Sequence, residues 1–422
     1  MEEPFQKGNP LTEAGKGGLQ PVNRRFITMY LLISLYGVIL TMLLDSSISA
    51  SLIMVLGGYP YQAGSVDSLI NLGIVVSAVL SAILLSKFRY YKHMFLLFSL
   101  CSLLSLACLA LTLSMGTNKT VIYVILLTVF LYYFFTGSLS LPIYELLNLF
   151  VDSRSRVVVM SNCLAIGQLC TLLISVAVGW LLNQQSGGSI DSYRLIFIFS
   201  VFVSFLHLIT LLWLDQVKVS RGASQERIAF FTFYKEQLHL LRMLPSLRLF
   251  IAAVILYAVC WSATGLYIGL GFKENAARMD EILASGIFIR TLVKASCYYA
   301  CGQLAKRYGN KAILIAIGVT GLCTPLTSLF LPVDYFIIIL VTTNIAPMAY
   351  VYFLNDLFER SDETTFKSQF TMFTLASVPA ALIIPVLGLL IGQQPQIFSA
   401  VMLLIQLGGI YLVTRLGKGG VT

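Results

Sequence analysis

Apolar runs long enough to cross a bilayer recur along the whole chain, and they leave little choice of fold. A hydrocarbon core about 30 Å thick takes about 20 helical residues. Runs of that size fall at residues 26–55, 64–86, 94–114, 120–143, 157–182, 193–215, 248–271, 281–301, 312–331, 334–354, 370–391 and 396–415. Only 11% of the 422 residues are charged, against about a quarter in soluble domains. Inside lipid every backbone amide must be satisfied within the protein, so only helices or closed barrels span it. The runs lack the alternating polarity of barrel strands. The chain is therefore expected to be an all-α polytopic membrane protein with twelve transmembrane helices.

Basic residues orient these spans. With the N-terminus cytoplasmic, 22 of the 28 Lys and Arg residues fall on that side. Lys119, Arg194, Lys273 and Arg278 fall on the other, and Arg290 and Lys294 lie inside the eighth run. This is the positive-inside pattern, and one span too many or too few would scramble it. The net charge of +9 is thus a topology signal and implies no nucleic acid partner. Both termini are expected in the cytoplasm, in a plasma or bacterial inner membrane. Residues 1–24 are expected to form a disordered tail, too polar for a signal peptide, and 416–422 a second tail.

Residues 216–247 form the longest internal connection. Ile228, Phe231, Leu238, Leu241 and Leu244 recur there at helical spacing among charged residues, which predicts an interfacial amphipathic helix. It separates six-helix bundles at 25–215 and 248–415. The two halves share features at matching places. Asn148-Leu149-Phe150 and Asp356-Leu357-Phe358 follow their fourth spans, the Leu-Phe pairs lying 208 residues apart. The basic turns Lys87-Phe88-Arg89-Tyr90-Tyr91-Lys92 and Lys306-Arg307-Tyr308-Gly309-Asn310-Lys311 follow their second spans. Common placement predicts a parallel repeat, with the bundles related by a pseudo-two-fold axis.

On these residues the chain resembles the major facilitator superfamily. Gly302-Gln303-Leu304-Ala305-Lys306-Arg307-Tyr308-Gly309-Asn310-Lys311 is similar to its loop signature G-x-L-A-D-R-x-G-R-K, with Lys306 replacing the acid. The resemblance implies a cytoplasmic gate at Gly302, Lys306, Arg307, Gly309 and Lys311. In the first half Ser86 replaces the acid and Arg89 the second glycine. Leu44-Asp45-Ser46-Ser47-Ile48 resembles the L-D-x-T-V motif of family exporters, which implies a proton- or cation-sensing role for Asp45. Two other exporter signals are missing: Tyr133 stands where the fourth helix often has Arg, and the fifth helix has no Gly-Pro pair near Gly167 or Gly179.

Ionisable groups at membrane depth are costly and mark functional sites by default. Arg290 and Lys294 are one helical turn apart and share a face. Two aligned cations call for an anion, either a solute or a carboxylate. Asp45 and Arg290 lie about ten residues inside their spans, at matching depths of roughly 15 Å, and are expected to pair across the halves. Lys294 is then the cation left to meet a solute. Glu145 and His207 are further proton-coupling candidates, although an interfacial pairing with Arg154 or Arg156 suits Glu145, and packing suits a lone buried imidazole. Tyr257, Trp261, Thr264 and Tyr267 form a stripe at helical spacing, of which Trp261 and Tyr257 are candidate solute-binding residues, with Asn344 a polar one. Asn162 and Gln168 read first as contacts between helices.

The expected function is a secondary active transporter, moving a small anionic or zwitterionic organic solute by alternating access with proton coupling, in the uptake direction. Export of an amphiphilic or chelating metabolite is the alternative. No GxxxxGK[ST] loop is present, so ATP is not the direct energy source. His93, His207 and His239 start no HxxxxD or HxxxH pattern, which leaves little room for a polytopic transferase. No glycine-repeat filter suggests a channel. The eight cysteines all fall within spans and make no CxxC spacing, so neither disulfides nor a metal site is expected, and no cofactor is implied. Partners reduce to solute, protons or another coupling cation, and lipid, with the chain a monomer.

Overall fold

A computed structural model describes residues 21–85, 88–115, 120–151, 153–183, 190–214, 235, 239, 245–274, 276–360, 363–391 and 394–416. Residues 1–20 and 417–422 of the proposed tails, most of the amphipathic linker, Ser86, Lys87, Asp152 and Asp362 lie outside the described residues; residues 21–24, expected in the disordered tail, are helical and open α1. The first span divides into α1 (Pro21–Leu43) and α2 (Ser46–Val55); α3 (Pro60–Leu85) and α4 (Tyr91–Met115) follow. The fourth divides into α5 (Thr120–Gly137) and α6 (Ser140–Phe150), and α7 (Ser153–Asn183) and α8 (Ile190–Leu212) complete the first six. The seventh span is α9 (Pro245–Trp261) with α10 (Thr264–Glu274), and the eighth is α11 (Ala276–Tyr308). The ninth is α12 (Asn310–Gly321) with α13 (Cys323–Phe330), and the tenth α14 (Phe336–Ile345) with α15 (Ala349–Arg360). The eleventh is α16 (Glu363–Leu375) with α17 (Val378–Ile391), and the last is α18 (Pro395–Arg415).

Eleven of these spans are long and apolar enough to cross a membrane. The twelfth is α11, whose 33 residues reach roughly 50 Å at the helical rise, with two cations at its centre. The architecture is thus the expected all-α polytopic one. Helices overrun the apolar runs at their ends because a helix continues where its side chains meet headgroups and water.

The breaks within spans have local causes. Pro142, Pro325, Pro347 and Pro379 stand in the first turns of the segments that follow the breaks in the fourth, ninth, tenth and eleventh spans, where no amide N–H is needed. The first and seventh spans break without proline.

Contacts between the first six and last six spans run along α7 with α11, α3 with α17 and α10, and α2 with α10. They are close because glycine allows it. A Cβ on Gly302 would lie 2.5 Å from Cβ of Ser161, and one on Gly265 would lie 2.6 Å from the Ala63 carbonyl. At the end carrying the termini, one apolar cluster draws Tyr30, Phe95 and Met160 together with Tyr298, Phe353 and Phe370. At the opposite, distal end the core divides, with Ile48, Leu109 and Phe197 in one cluster and Leu266, Ile339 and Phe398 in another.

Gly302→Leu should wedge α11 from α7, with an overpacking cost of about 1–3 kcal/mol. The expected result is a lower thermal unfolding midpoint of the detergent-solubilised protein, and an unchanged midpoint would show that this contact opens freely.

Candidate functional site

The sequence Asp45-Ser46-Ser47 carries side chains that compete with the backbone for hydrogen bonds and so favour helix starts over interiors. The first span breaks there. Asp45 is extended, at φ −51° and ψ 146°, and caps α2, its carboxylate accepting from the Ser47 amide at 3.2 Å. The Ser46 hydroxyl donates to the same carboxylate at 3.2 Å. Within lipid such irregular backbone is tolerated where it lines a cavity or is buried in protein. The break frees the Leu44 carbonyl, toward which the Tyr133 hydroxyl of α5 donates at 3.5 Å.

Arg290, on the continuous helix α11, reaches this break. Its Nη1 lies 2.8 Å from Oδ2 of Asp45 and also donates to the Ser47 hydroxyl. The pair expected from matching depths is therefore formed, and it joins the first span to the eighth. Arg290 is 3% exposed, and its buried Nη2 has no hydrogen-bond partner among the described residues. Lys294, one turn along, makes no hydrogen bond or ion pair among the described residues and lines the same cavity. Two cations and one carboxylate thus line one cavity, and the carboxylate is paired with Arg290.

The cavity has a volume of about 20 Å³ and is bounded by Val38, Thr41, Met42 and Asp45 of the first span, Gln168 of α7, Arg290, Thr291 and Lys294 of α11, and Asn344 of α14. Such a volume holds about one water molecule. Asn344 Nδ2 donates to the Leu340 carbonyl at 2.8 Å. A small solute fits only after the helices separate.

The other residues singled out in the sequence lie elsewhere. The Tyr257 hydroxyl donates to the Leu314 carbonyl at 2.6 Å and its ring meets Phe353 edge-on at 5.3 Å. Tyr257 therefore packs within the last six spans and is not among the cavity-lining residues. Trp261 ends α9 directly before the break and packs against apolar clusters on both sides of it. Glu145 is buried on α6 and accepts from the Tyr91 hydroxyl at 2.7 Å. His207 packs on Tyr36 at 5.7 Å between ring centroids. Its buried Nε2 has no partner among the described residues.

The gate signature has a defined shape. Gly309 adopts φ +83° to start α12, a conformation open to glycine at no cost. Lys306 and Arg307 are exposed, Arg307 lying 5.3 Å over the Tyr308 ring. Lys311 Nζ donates to the carbonyls of Thr414 and Leu416, at 2.7 and 2.6 Å, and so caps the end of α18. The first-half turn repeats this arrangement. Arg89 lies 5.4 Å over Tyr90, and Lys92 Nζ donates to the Leu212 carbonyl at the end of α8, at 2.5 Å. Cations at helix C-termini satisfy carbonyls and complement the helix dipole.

Two residues of weight escape a reading of the sequence. Ser47 stands in the quoted motif but carries no role there. Asp67 lies within the second run, 64–86, and carries no role there. The helix α3 begins a turn earlier, at Pro60, and Asp67 is buried at 6% exposure. All eight cysteines are free thiols, and no group of side chains fit to hold a metal occurs among the described residues.

Helices long and apolar enough to cross a membrane surround this charged cavity, and membership of a transporter family makes the chain a transporter and not an enzyme. The model of the Major Facilitator Superfamily matches residues 26–363, so the chain belongs to that superfamily. Its fold is similar to a variant of the nucleoside transporter NupG, with TM-score 0.67 and 14% identity, covering 93% of this chain and 100% of that one. It is also similar to a variant of the E. coli fucose:proton symporter FucP, with TM-score 0.63 and 14% identity over 94% and 99% of the two chains. A POT family transporter solved with 5-aminolevulinic acid gives TM-score 0.63 and 12% identity over 93% and 97%. No curated protein matches in sequence.

Asp45→Ala should strand Arg290 as an unpaired buried cation beside Lys294, a loss of about 3–5 kcal/mol. Thermal unfolding in detergent should register a lower midpoint, largely restored in the double variant Asp45→Asn with Arg290→Gln. Equal midpoints for the single variant and the parent would mean that the pair is not desolvated.

Proposed function

We propose that the protein is a secondary active transporter that takes up a small organic solute bearing a carboxylate or phosphate, by proton-coupled alternating access. The observation that carries this reading is a cavity lined by two cations and one carboxylate, with the carboxylate paired to Arg290. Ionised Asp45 holds Arg290 while the site is empty. A proton on Asp45 removes its charge and releases Arg290, which with Lys294 then offers a doubly cationic site to an anion. Charge-assisted hydrogen bonds to both cations repay the separation of the pair. Asn344 supplies a neutral polar contact, and Trp261, beside the break in the seventh span, an apolar face once the cavity widens. Glu145 and His207 stand outside this cavity and are the secondary routes for a proton.

Alternating access needs two bodies, here residues 25–215 and 248–415, each of six spans. Three observations support that division. The first and fourth spans of each six are broken. The close pairs, second with eleventh and fifth with eighth, exchange under a six-span shift. The two basic turns end in lysines with the same capping task. Placement in a plasma or bacterial inner membrane with cytoplasmic termini follows from the charge asymmetry. Export has one observation in its favour, that Asp45, the acid of the exporter-like segment, lines the cavity.

Lys294→Ala spares the ion pair, so the variant should fold and yet bind an anionic solute roughly a hundredfold more weakly, within the range for losing one partner of a desolvated charge contact. Thermal-shift screening of the purified protein against organic anions, zwitterions and cations identifies the solute class by mass action. Flux into proteoliposomes under an imposed pH gradient then reads coupling and direction. Parental transport of anions by both Lys294→Ala and Arg290→Ala would rule out the anion reading, and outward, proton-driven flux would select export.

A further inference from the structure

Asp67 is a buried carboxylate that the transport cycle described above does not use. A buried carboxylate needs donors to offset its lost hydration. One comes from across the interface. Asp67 Oδ2 accepts from the Gly265 amide at 2.5 Å, 198 positions away in the chain. Gly265 is the second residue of α10, whose first-turn amides have no partner inside their own helix. A carboxylate is the side chain best suited to that position, because it takes the orphan N–H and faces the positive end of the helix dipole. The second span thus caps the broken seventh span.

The surroundings reinforce this contact. Asn71, one turn along α3, donates to the Ser262 hydroxyl at 2.6 Å, in the break of the seventh span, and to the Asp67 carbonyl at 2.9 Å. A Cβ on Gly265 would lie 3.0 Å from Oδ2 of Asp67, and one on Gly269 would lie 2.9 Å from Cα of Pro60. Only glycine lets the two backbones approach this closely.

The Ser46 hydroxyl donates to Asp45, and α2, which Ser46 starts, packs against both α3 and α10. Arg290 is thus joined through Asp45 to α2, and α2 packs on the two helices that Asp67 and Gly265 hold together. We propose that Asp67 is the positioning residue of the distal gate: it clamps the break of the seventh span to the second span, and α2, which begins at Ser46 and packs on both, links that clamp to the ion pair in the cavity. Separation of Asp45 from Arg290 withdraws α2 and Ser46, and the clamp on α10 weakens with it. Distal opening and solute-site charge are then one equilibrium. This rests on the alternating-access reading, but its test needs no solute.

Hydrogen–deuterium exchange of the full chain in nanodiscs reads the clamp directly. In Asp67→Ala the amides of residues 264–268 should exchange about tenfold faster or more, the scale of losing a hydrogen bond to a charged group. Asp67→Asn keeps an acceptor and should recover part of the protection. Ser46→Ala keeps every charge and should accelerate exchange of 264–268 several-fold through the link alone. In proteoliposomes both Asp67→Ala and Ser46→Ala should lower turnover while leaving the solute KM near its parental value. Unchanged protection of 264–268 in Asp67→Ala overturns the clamp, as does uniform acceleration across all twelve spans. Should Asp67→Ala fail to fold, Ser46→Ala decides, since parental exchange there overturns the link. Because exchange is measured without solute, failure of the anion hypothesis leaves this result standing, and failure here leaves the anion hypothesis intact.

Discussion

The ion pair between Asp45 and Arg290 constrains everything around it. Two charges taken from water into the middle of a bilayer persist only with good geometry and satisfied neighbours. The break of the first span supplies them: an extended residue turns the Asp45 carboxylate to the Ser47 amide, the Ser46 hydroxyl and the guanidinium together. An unbroken helix would have spent those amides on its own carbonyls. The cost of the break is met by the N-terminus of α2, whose positive end faces the acid. Lys294 then remains without an ion-pair partner among the described residues, which is what the proposed anion site draws on.

Closure at the two ends rests on different physics. At the termini end the seal is apolar and aromatic, with Tyr144 and Phe370 meeting at 5.6 Å between centroids across the halves. At the distal end the seal is a short-range contact of backbone on backbone, allowed by glycine and held by Asp67 and Asn71. Apolar contacts yield gradually as helices tilt, whereas hydrogen bonds with fixed geometry yield over a fraction of an ångström. The distal seal is thus suited to a discrete switch.

The spans were legible in the sequence because one rule governs them: hydrocarbon thickness sets the length and polarity of each run. Apart from the internal breaks, the twelve runs coincide with the helices except at a few ends. Trp213, Leu214 and Leu331 fall just past helix ends, and Asp334 and Tyr335 form a 3-10 turn before α14. Ser86 and Asp215, which close two of the runs, are outside the described residues. The Asp45–Arg290 pair was legible from depth alone. The breaks of the first and seventh spans were not, since their partners, Arg290 for one and Asp67 and Asn71 for the other, lie far away in the chain. The stripe of Tyr257, Trp261, Thr264 and Tyr267 assumed a continuous helix, but Ser262 and Ala263 interrupt it. Tyr257 consequently turns to Leu314 and Tyr267 to Phe398, so shared spacing did not mean a shared face. Asp67 was hidden for a related reason, because its partner is a backbone amide exposed only by that interruption.

The lysine caps have a mechanical consequence. Lys92 fastens the turn after the second helix to the final carbonyls of the sixth, and Lys311 does the same between the eighth and the twelfth. Each strap closes on its own half. In the proposed rocking of the halves these loops would be carried as cargo and not stretched, so the work of opening would fall on the seam and none would be lost in bending the hinges' own scaffolding.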